Sequence, residues 1–103
     1  MALCEVTIVP VGTPSASISS YVADCLTVLE GQGIQYQLTA MGTIIEGDLP
    51  LLLDLVRRMH ERPFAKGAVR VVTTVRIDDR RDHALTIQGK VAAVEARLKG
   101  EAH

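Results

Sequence analysis

The chain has 103 residues, 48% hydrophobic and 22% charged, which is the length of one domain with an ordinary globular composition. Eleven Lys and Arg against twelve Asp and Glu leave a net charge of −1, so no electrostatic feature points to DNA, RNA or an anionic membrane as partner. Tyr21, Tyr36 and Phe64 are the aromatic residues; rings this scarce exclude a base-stacking platform for single strands and make the expected core aliphatic.

The opening Met-Ala-Leu-Cys-Glu lacks the basic and apolar regions of a signal peptide, and no apolar run approaches the roughly 20 residues that span a bilayer. The expectation is a cytoplasmic protein with a single domain over residues 1–103. Val6 to Val11, with Leu3-Cys4-Glu5 before it, reads as a first strand with Cys4, Val6 and Ile8 on one face and Glu5, Thr7 and Val9 on the other. Pro10, Gly12 and Pro14 punctuate its end. Ser15 or Ser17 is placed to cap a helix running to about Glu30, whose apolar stripe is Ile18, Tyr21, Val22, Cys25, Leu26 and Leu29. Gly31 and Gly33 end it.

A second strand, Tyr36 to Ala40, sets Tyr36, Leu38 and Ala40 against Gln35, Gln37 and Thr39. After Gly42, Thr43 to Glu46 forms a short third strand. Asp48 is a good cap for a second helix, with Pro50 tolerable in its first turn and Leu52, Leu53, Val56, Met59 and His60 as its stripe. Pro63 is expected to end or kink it. Val69 to Asp78 alternates as a fourth strand, and a last amphipathic helix from about Gln88 to Lys99 carries Val91, Val94 and Leu98 on one face.

The order β-α-β-β-α-β plus a C-terminal helix predicts an α+β, ferredoxin-like antiparallel sheet, with strands one and three central and strands two and four at the edges. The face without helices would carry Glu5, Thr7, Val9, Gln37, Thr39, Val72, Thr74 and Arg76. A half-apolar, threonine-rich face of this kind predicts a partner subunit, a ligand or both. Cys4 and Cys25 read as two buried thiols, neither in a CxxC pair, and His60, His83 and His103 are scattered. No metal or cofactor is expected. Gly31-Gln32-Gly33 is too short for a dinucleotide fingerprint.

Several stretches resemble one family. Glu5-Val6-Thr7-Ile8-Val9-Pro10-Val11-Gly12 followed by Ser17-Ile18-Ser19-Ser20-Tyr21-Val22, then Met41-Gly42-Thr43-Ile44-Ile45-Glu46-Gly47, Met59-His60-Glu61 and Arg70 to Asp82 are similar, in order, to the small thiamine-binding (YkoF-like) proteins. The resemblance implies the ferredoxin-like fold, assembly through sheets into dimers or tetramers, and binding of thiamine or its hydroxymethylpyrimidine moiety; it does not imply catalysis, and a non-enzymatic binding protein is expected.

Thiamine joins an aminopyrimidine, which needs a matched donor and acceptor, to a thiazolium cation, which needs negative charge or a ring face. Glu5 and Thr7 on the central strand could supply the first, or could simply be a polar outer face or an oligomer contact. Thr43 would neighbour them, although a one-residue shift of so short a strand exchanges Thr43 and Ile45 for Ile44 and Glu46. Glu46 could instead stabilise the start of the second helix. Met41 could flank a flat heterocycle or pack in a core or interface. Of Ser17, Ser19 and Ser20, one is the expected cap and the others could meet a ligand. His60 reads as a hydrogen-bonded core residue, with no nucleophile–base arrangement around it. The Asp-Asp-Arg-Arg-Asp run balances its own charge, while Arg76, Arg80 and Arg81 could receive a phosphate. The expected site comprises Glu5, Thr7, Ser17, Thr39, Met41, Thr43 and Glu46, in a pocket at or near a subunit interface lined by the open sheet face and the Met41–Thr43 segment. The competing expectation is a regulatory or structural oligomer sensing another small metabolite, which rests on fold analogy.

Overall fold

The computed structural model describes residues 1–100, and His103 lies outside them. β1 (Ala2–Pro10) is followed by α1 (Ser19–Leu26), β2 (Gln35–Leu38), β3 (Thr43–Gly47), α2 (Leu49–Ala65), β4 (Val71–Asp79) and α3 (Ile87–Leu98). The sheet order is β2-β3-β1-β4 with every neighbouring pair antiparallel, the ferredoxin-like arrangement expected.

Alternation along β1 sends Ala2, Cys4, Val6 and Ile8 into the core. There they meet Ile45 of β3, Cys25 of α1, Val28 and Leu29 of the short 3-10 turn after it, and Leu52, Leu55, Val56 and Met59 of α2. Both helices thus cover one face of the sheet. Register settles the third strand: Thr43 pairs with Val6 and Ile45 with Cys4, so these two face the helices. Ile44, paired with Glu5, and Glu46, paired with Leu3, face the other way.

Several boundaries differ from the sequence reading, each for a local reason. No serine caps α1: Ser15 Oγ accepts from the Ser17 N–H, a turn that competes with capping, and the helix starts after Ile18. Its last regular residue is Leu26, not Glu30, and Thr27 Oγ1 donates to the Asp24 carbonyl as the chain tightens into the 3-10 turn. β2 stops at Leu38 because Thr39 turns its hydroxyl onto Gly42. β4 begins at Val71, and Val69 stands in solvent. Asp48 precedes α2 but its side chain makes no capping bond.

Pro63 does not end α2, which runs on to Ala65. A proline at this position removes the N–H that would bond the Met59 carbonyl one turn back. That carbonyl accepts the Cys25 thiol instead, at 3.4 Å. Burial pushes the Cys25 and Cys4 thiols above their ordinary pKa, and both are free and buried.

α3 starts on the sheet face opposite α1 and α2. Its cap is Thr86, whose Oγ1 accepts from the Gly89 N–H. The Ile87 N–H donates to Glu46 Oε1 and Lys90 Nζ to Asp78 Oδ2. Glu46 thus serves the start of a helix as the sequence allowed, but of α3 rather than α2. The stripe Val91, Val94 and Leu98 is 51%, 60% and 82% exposed, so no other described residue covers it.

A two-pronged ion pair ties α1 to α2: Arg62 Nε and Nη2 donate to Asp24 Oδ2 and Oδ1 at 3.0 and 2.8 Å. The Arg62 hydrogen bond holds the Asp24 carboxyl below its ordinary pKa. A carboxyl lowered by folding adds stability that is fully present above the unfolded aspartate pKa of about 3.9 and is lost as pH falls through the lower folded value. Asp24→Asn should therefore lower the urea midpoint at neutral pH, and variant and wild type should converge near pH 2. A gap that persists in acid would show that the pair's contribution is not this titration.

Candidate functional site

β1 and β3 are unequal partners. β3 pairs with β1 only as far as Val6, whereas β4 follows β1 to Pro10. Beyond Val6 the β3 side of β1 has no strand beside it, and a slot opens there. The 39–42 turn closes one flank, the start of α1 the other, and the inner faces of α1 and α2 form the floor. The resulting cavity is about 400 Å³ and is lined by Val6 to Val9, Ile18, Ser19, Val22, Cys25, Leu26, Met59 and Leu38 to Thr43. A volume of this order suits a small ligand.

Among the described residues no Asp, Glu, Lys, Arg or His lines this cavity, and of its polar groups Thr43 stands apart. Thr43 is 4% exposed, on the helix side of β3, and its hydroxyl makes no hydrogen bond within the described residues. Because no fully enclosed side-chain polar atom lacks a partner, this hydroxyl is open to the cavity it lines. A threonine hydroxyl both donates and accepts. The Cys25 thiol, raised by burial and donating to Met59, is no activated nucleophile.

The turn is held as a fixed lip. Thr39 Oγ1 donates to the Gly42 carbonyl at 2.8 Å and accepts from the Met41 and Gly42 N–H groups at 3.2 and 3.1 Å. The Thr39 N–H also donates to the Gly42 carbonyl. Thr7 Oγ1 reaches across from β1 to donate to the Met41 carbonyl at 3.2 Å. Gly42 passes so close to β1 that a Cβ there would stand 3.0 Å from Thr7 Oγ1 and 3.1 Å from the Val6 carbonyl oxygen. The Met41 side chain, 83% exposed, projects from this lip at the rim.

Of the residues expected at the site, Thr7, Thr39, Met41 and Thr43 come together here. Ser17 stands just outside, its Oγ 3.5 Å from that of Ser19, which lines the wall. Glu5 and Glu46 lie on the opposite face of the sheet. Glu5 Oε1 accepts from Arg76 Nη1 at 3.4 Å beside a shallower depression of about 220 Å³. The cavity thus joins the expected Met41–Thr43 segment to the inner faces of α1 and α2, and leaves Glu5 and Glu46 outside it. Val22, Cys25, Leu26 and Met59 were visible as helix stripes, but a stripe does not reveal whether it faces a cavity or a filled core.

Elsewhere, Arg80 and Arg81 pair with Asp82 and Asp79, so the charged run balances itself as expected. His60 Nδ1 is 2.6 Å from Thr73 Oγ1, and its ring meets that of Phe64 edge-on at 5.5 Å. No group of three or more potential metal ligands occurs among the described residues. None of their helices is long and apolar enough to cross a membrane.

Residues 4–95 match the profile of a family described as thiamine-binding protein. The chain is similar to the UPF0045 protein YqgV of Bacillus subtilis, 48% identical over 96% of this chain and 99% of that one. A UPF0045 protein of Methanothermobacter thermautotrophicus is 39% identical over 95% of this chain and all of its own length. Among solved structures, a hypothetical protein of Methanocaldococcus jannaschii superposes with a TM-score of 0.83 at 34% identity, covering 91% of this chain and 95% of that one. A Thermotoga maritima protein proposed to act in thiamine biosynthesis or salvage shares the fold at a TM-score of 0.74 and 20% identity, over 90% of this chain and 97% of that one.

The lip makes a direct prediction. Thr39→Val removes three hydrogen bonds and should cost about 1–3 kcal/mol in urea unfolding, with faster amide exchange at Met41 and Gly42. Thr39→Ser should restore both. Gly42→Ala should displace the lip, since the Val6 carbonyl is main chain and cannot yield. Unchanged exchange in Thr39→Val would mean that the lip is held by something else.

Proposed function

Because the chain belongs to the thiamine-binding protein family, we propose that it binds thiamine or its hydroxymethylpyrimidine moiety in the cavity behind the 39–42 lip, without converting it chemically. One observation carries this reading: a buried, unpartnered Thr43 hydroxyl in the wall of an apolar cavity without charged side chains. An uncharged flat heterocycle is the part of thiamine such a wall accommodates, because burying a cation among apolar groups with no carboxylate is costly. The pyrimidine therefore enters and the thiazolium stays at the mouth, in contact with water.

Each nearby residue then has a distinct task. Thr43 hydrogen-bonds the ring, and the Met41 thioether closes against its face. Ser19, with Ser17 behind it, borders the opposite flank, while Thr7 and Thr39 keep the lip in place. Glu5 and Glu46 take no part in the cavity and belong to the outer face, where Glu46 holds α3. That outer face, with Val9 and Val72 exposed, and the bare α3 stripe call for cover by further copies of the chain, giving a dimer or tetramer. The role this reading supports is carriage, buffering or sensing of the vitamin in the cytoplasm.

Calorimetry with thiamine tests the ligand. Thr43→Val should weaken binding roughly tenfold, the size expected for one buried hydrogen bond to the ligand, and Glu5→Gln should leave affinity unchanged. Thiamine should be recovered chemically intact after prolonged incubation. A Glu5→Gln variant that loses binding while Thr43→Val retains it would move the site to the outer face. Light scattering should give a mass of two or four chains at micromolar concentration; a monomer would remove the assembly.

A further inference from the structure

The main-chain N–H and C=O groups of a β-strand point alternately to its two neighbours. Two contacts set the phase at the end of β1. The Val11 N–H donates to the Arg70 carbonyl at 2.8 Å, so odd-numbered residues here address the β4 side. The Val6 carbonyl oxygen lies 3.1 Å from the position of a Cβ on Gly42, so even-numbered residues address the side of β3 and the lip. Ile8 is the next even residue. β3 no longer pairs with β1 at that level, and among the described residues no hydrogen bond reaches the Ile8 main chain.

Ile8 lines the cavity and is 8% exposed, so a main-chain donor and acceptor face the slot together from a largely buried residue. Native proteins seldom leave such groups without partners. The next even residue, Pro10, has no N–H to leave unpaired, which confines the free pair to Ile8.

We infer that the free edge of β1 at Ile8 reads the ligand: its N–H donates to a ring nitrogen and its C=O accepts from the adjacent exocyclic amine of an aminopyrimidine. The inference rests on the thiamine reading above and names the chemistry that reading left open. It explains how a cavity without charged side chains can still select among heterocycles, because the strand edge supplies a donor and an acceptor in fixed order. A 4-oxo analogue, which carries a ring N–H and an exocyclic oxygen, sets donor against donor and acceptor against acceptor. It should bind at least tenfold more weakly.

Amide exchange and chemical shift at Ile8, followed by NMR, provide the test. In the ligand-free protein the Ile8 amide should exchange much faster than those of Thr7 and Val9, which belong to the β4 ladder. Thiamine and its 4-aminopyrimidine fragment should slow that exchange and move the Ile8 proton downfield, and the 4-oxo analogue should do neither. Replacing Ile8 by the α-hydroxy acid with the same side chain exchanges its N–H for an ester oxygen, at the cost of a weaker Thr7 carbonyl acceptor in the β4 ladder. It should weaken thiamine about tenfold with the circular dichroism spectrum unchanged. Thiamine binding seen by calorimetry, with the Ile8 amide unaltered in rate and shift, overturns the strand-edge inference and leaves the ligand reading intact. Absence of thiamine binding to the wild type removes the ligand reading and this inference with it. Protection of Ile8 without ligand, growing with protein concentration, would assign the edge to a strand of a second copy and overturn the inference likewise.

Discussion

β1 has two neighbours of different length, and most of what distinguishes this molecule follows from that mismatch. β4 accompanies it to Pro10, while β3 leaves it at Val6. A sheet with matched strands would have buried the end of β1 under main-chain hydrogen bonds. Here the same stretch borders a cavity, with helix residues as floor and a turn as flank. The core residues Val6, Ile8, Cys25 and Met59 also line the opening, so it borders the core where the shorter strand stops.

The turn that begins β3 is specified in detail where the cavity needs it. Thr39 satisfies two N–H groups and one carbonyl, Thr7 adds a tie from the neighbouring strand, and Gly42 permits the close approach. On the floor, Pro63 frees the Met59 carbonyl that the Cys25 thiol then occupies. These short-range satisfactions leave two sets of polar groups open to the cavity: the Thr43 hydroxyl and the Ile8 main chain. Recognition by such groups depends on shape and hydrogen-bond order. It should therefore respond weakly to salt, since screening acts on charges.

The outer face follows a different logic. Glu46 and Asp78 receive the first turn of α3, and Glu5 meets Arg76, so its charges are engaged within the chain. Its uncovered residues include the apolar Val9 and Val72 beside the polar Gln37 and Thr74 on the sheet, and the Val91, Val94 and Leu98 stripe on the helix. The two sides of the sheet thus divide the work proposed for the protein, ligand on the helix side and assembly on the other.

Periodicity and punctuation alone determined the element order, the ferredoxin-like topology and which residues of β1 enter the core, because alternation and helix stripes are written locally. Four cavity residues were also legible, Thr7, Met41 and Thr43 within the family-like stretches and Thr39 through the alternation of the second strand. The face on which the cavity lies was not. Thr43 and Glu46 exchange faces with a one-residue change of register, and only pairing with Val6 and Leu3 decides it. Nor could the end of β3 relative to β1 be read, since strand length depends on which neighbour supplies hydrogen bonds. The serines before α1 and Pro63 within α2 followed tertiary or turn partners rather than their usual preferences. The cavity is made of groups brought together from residues 6 to 59, and its existence depends on where the pairing of two distant segments stops.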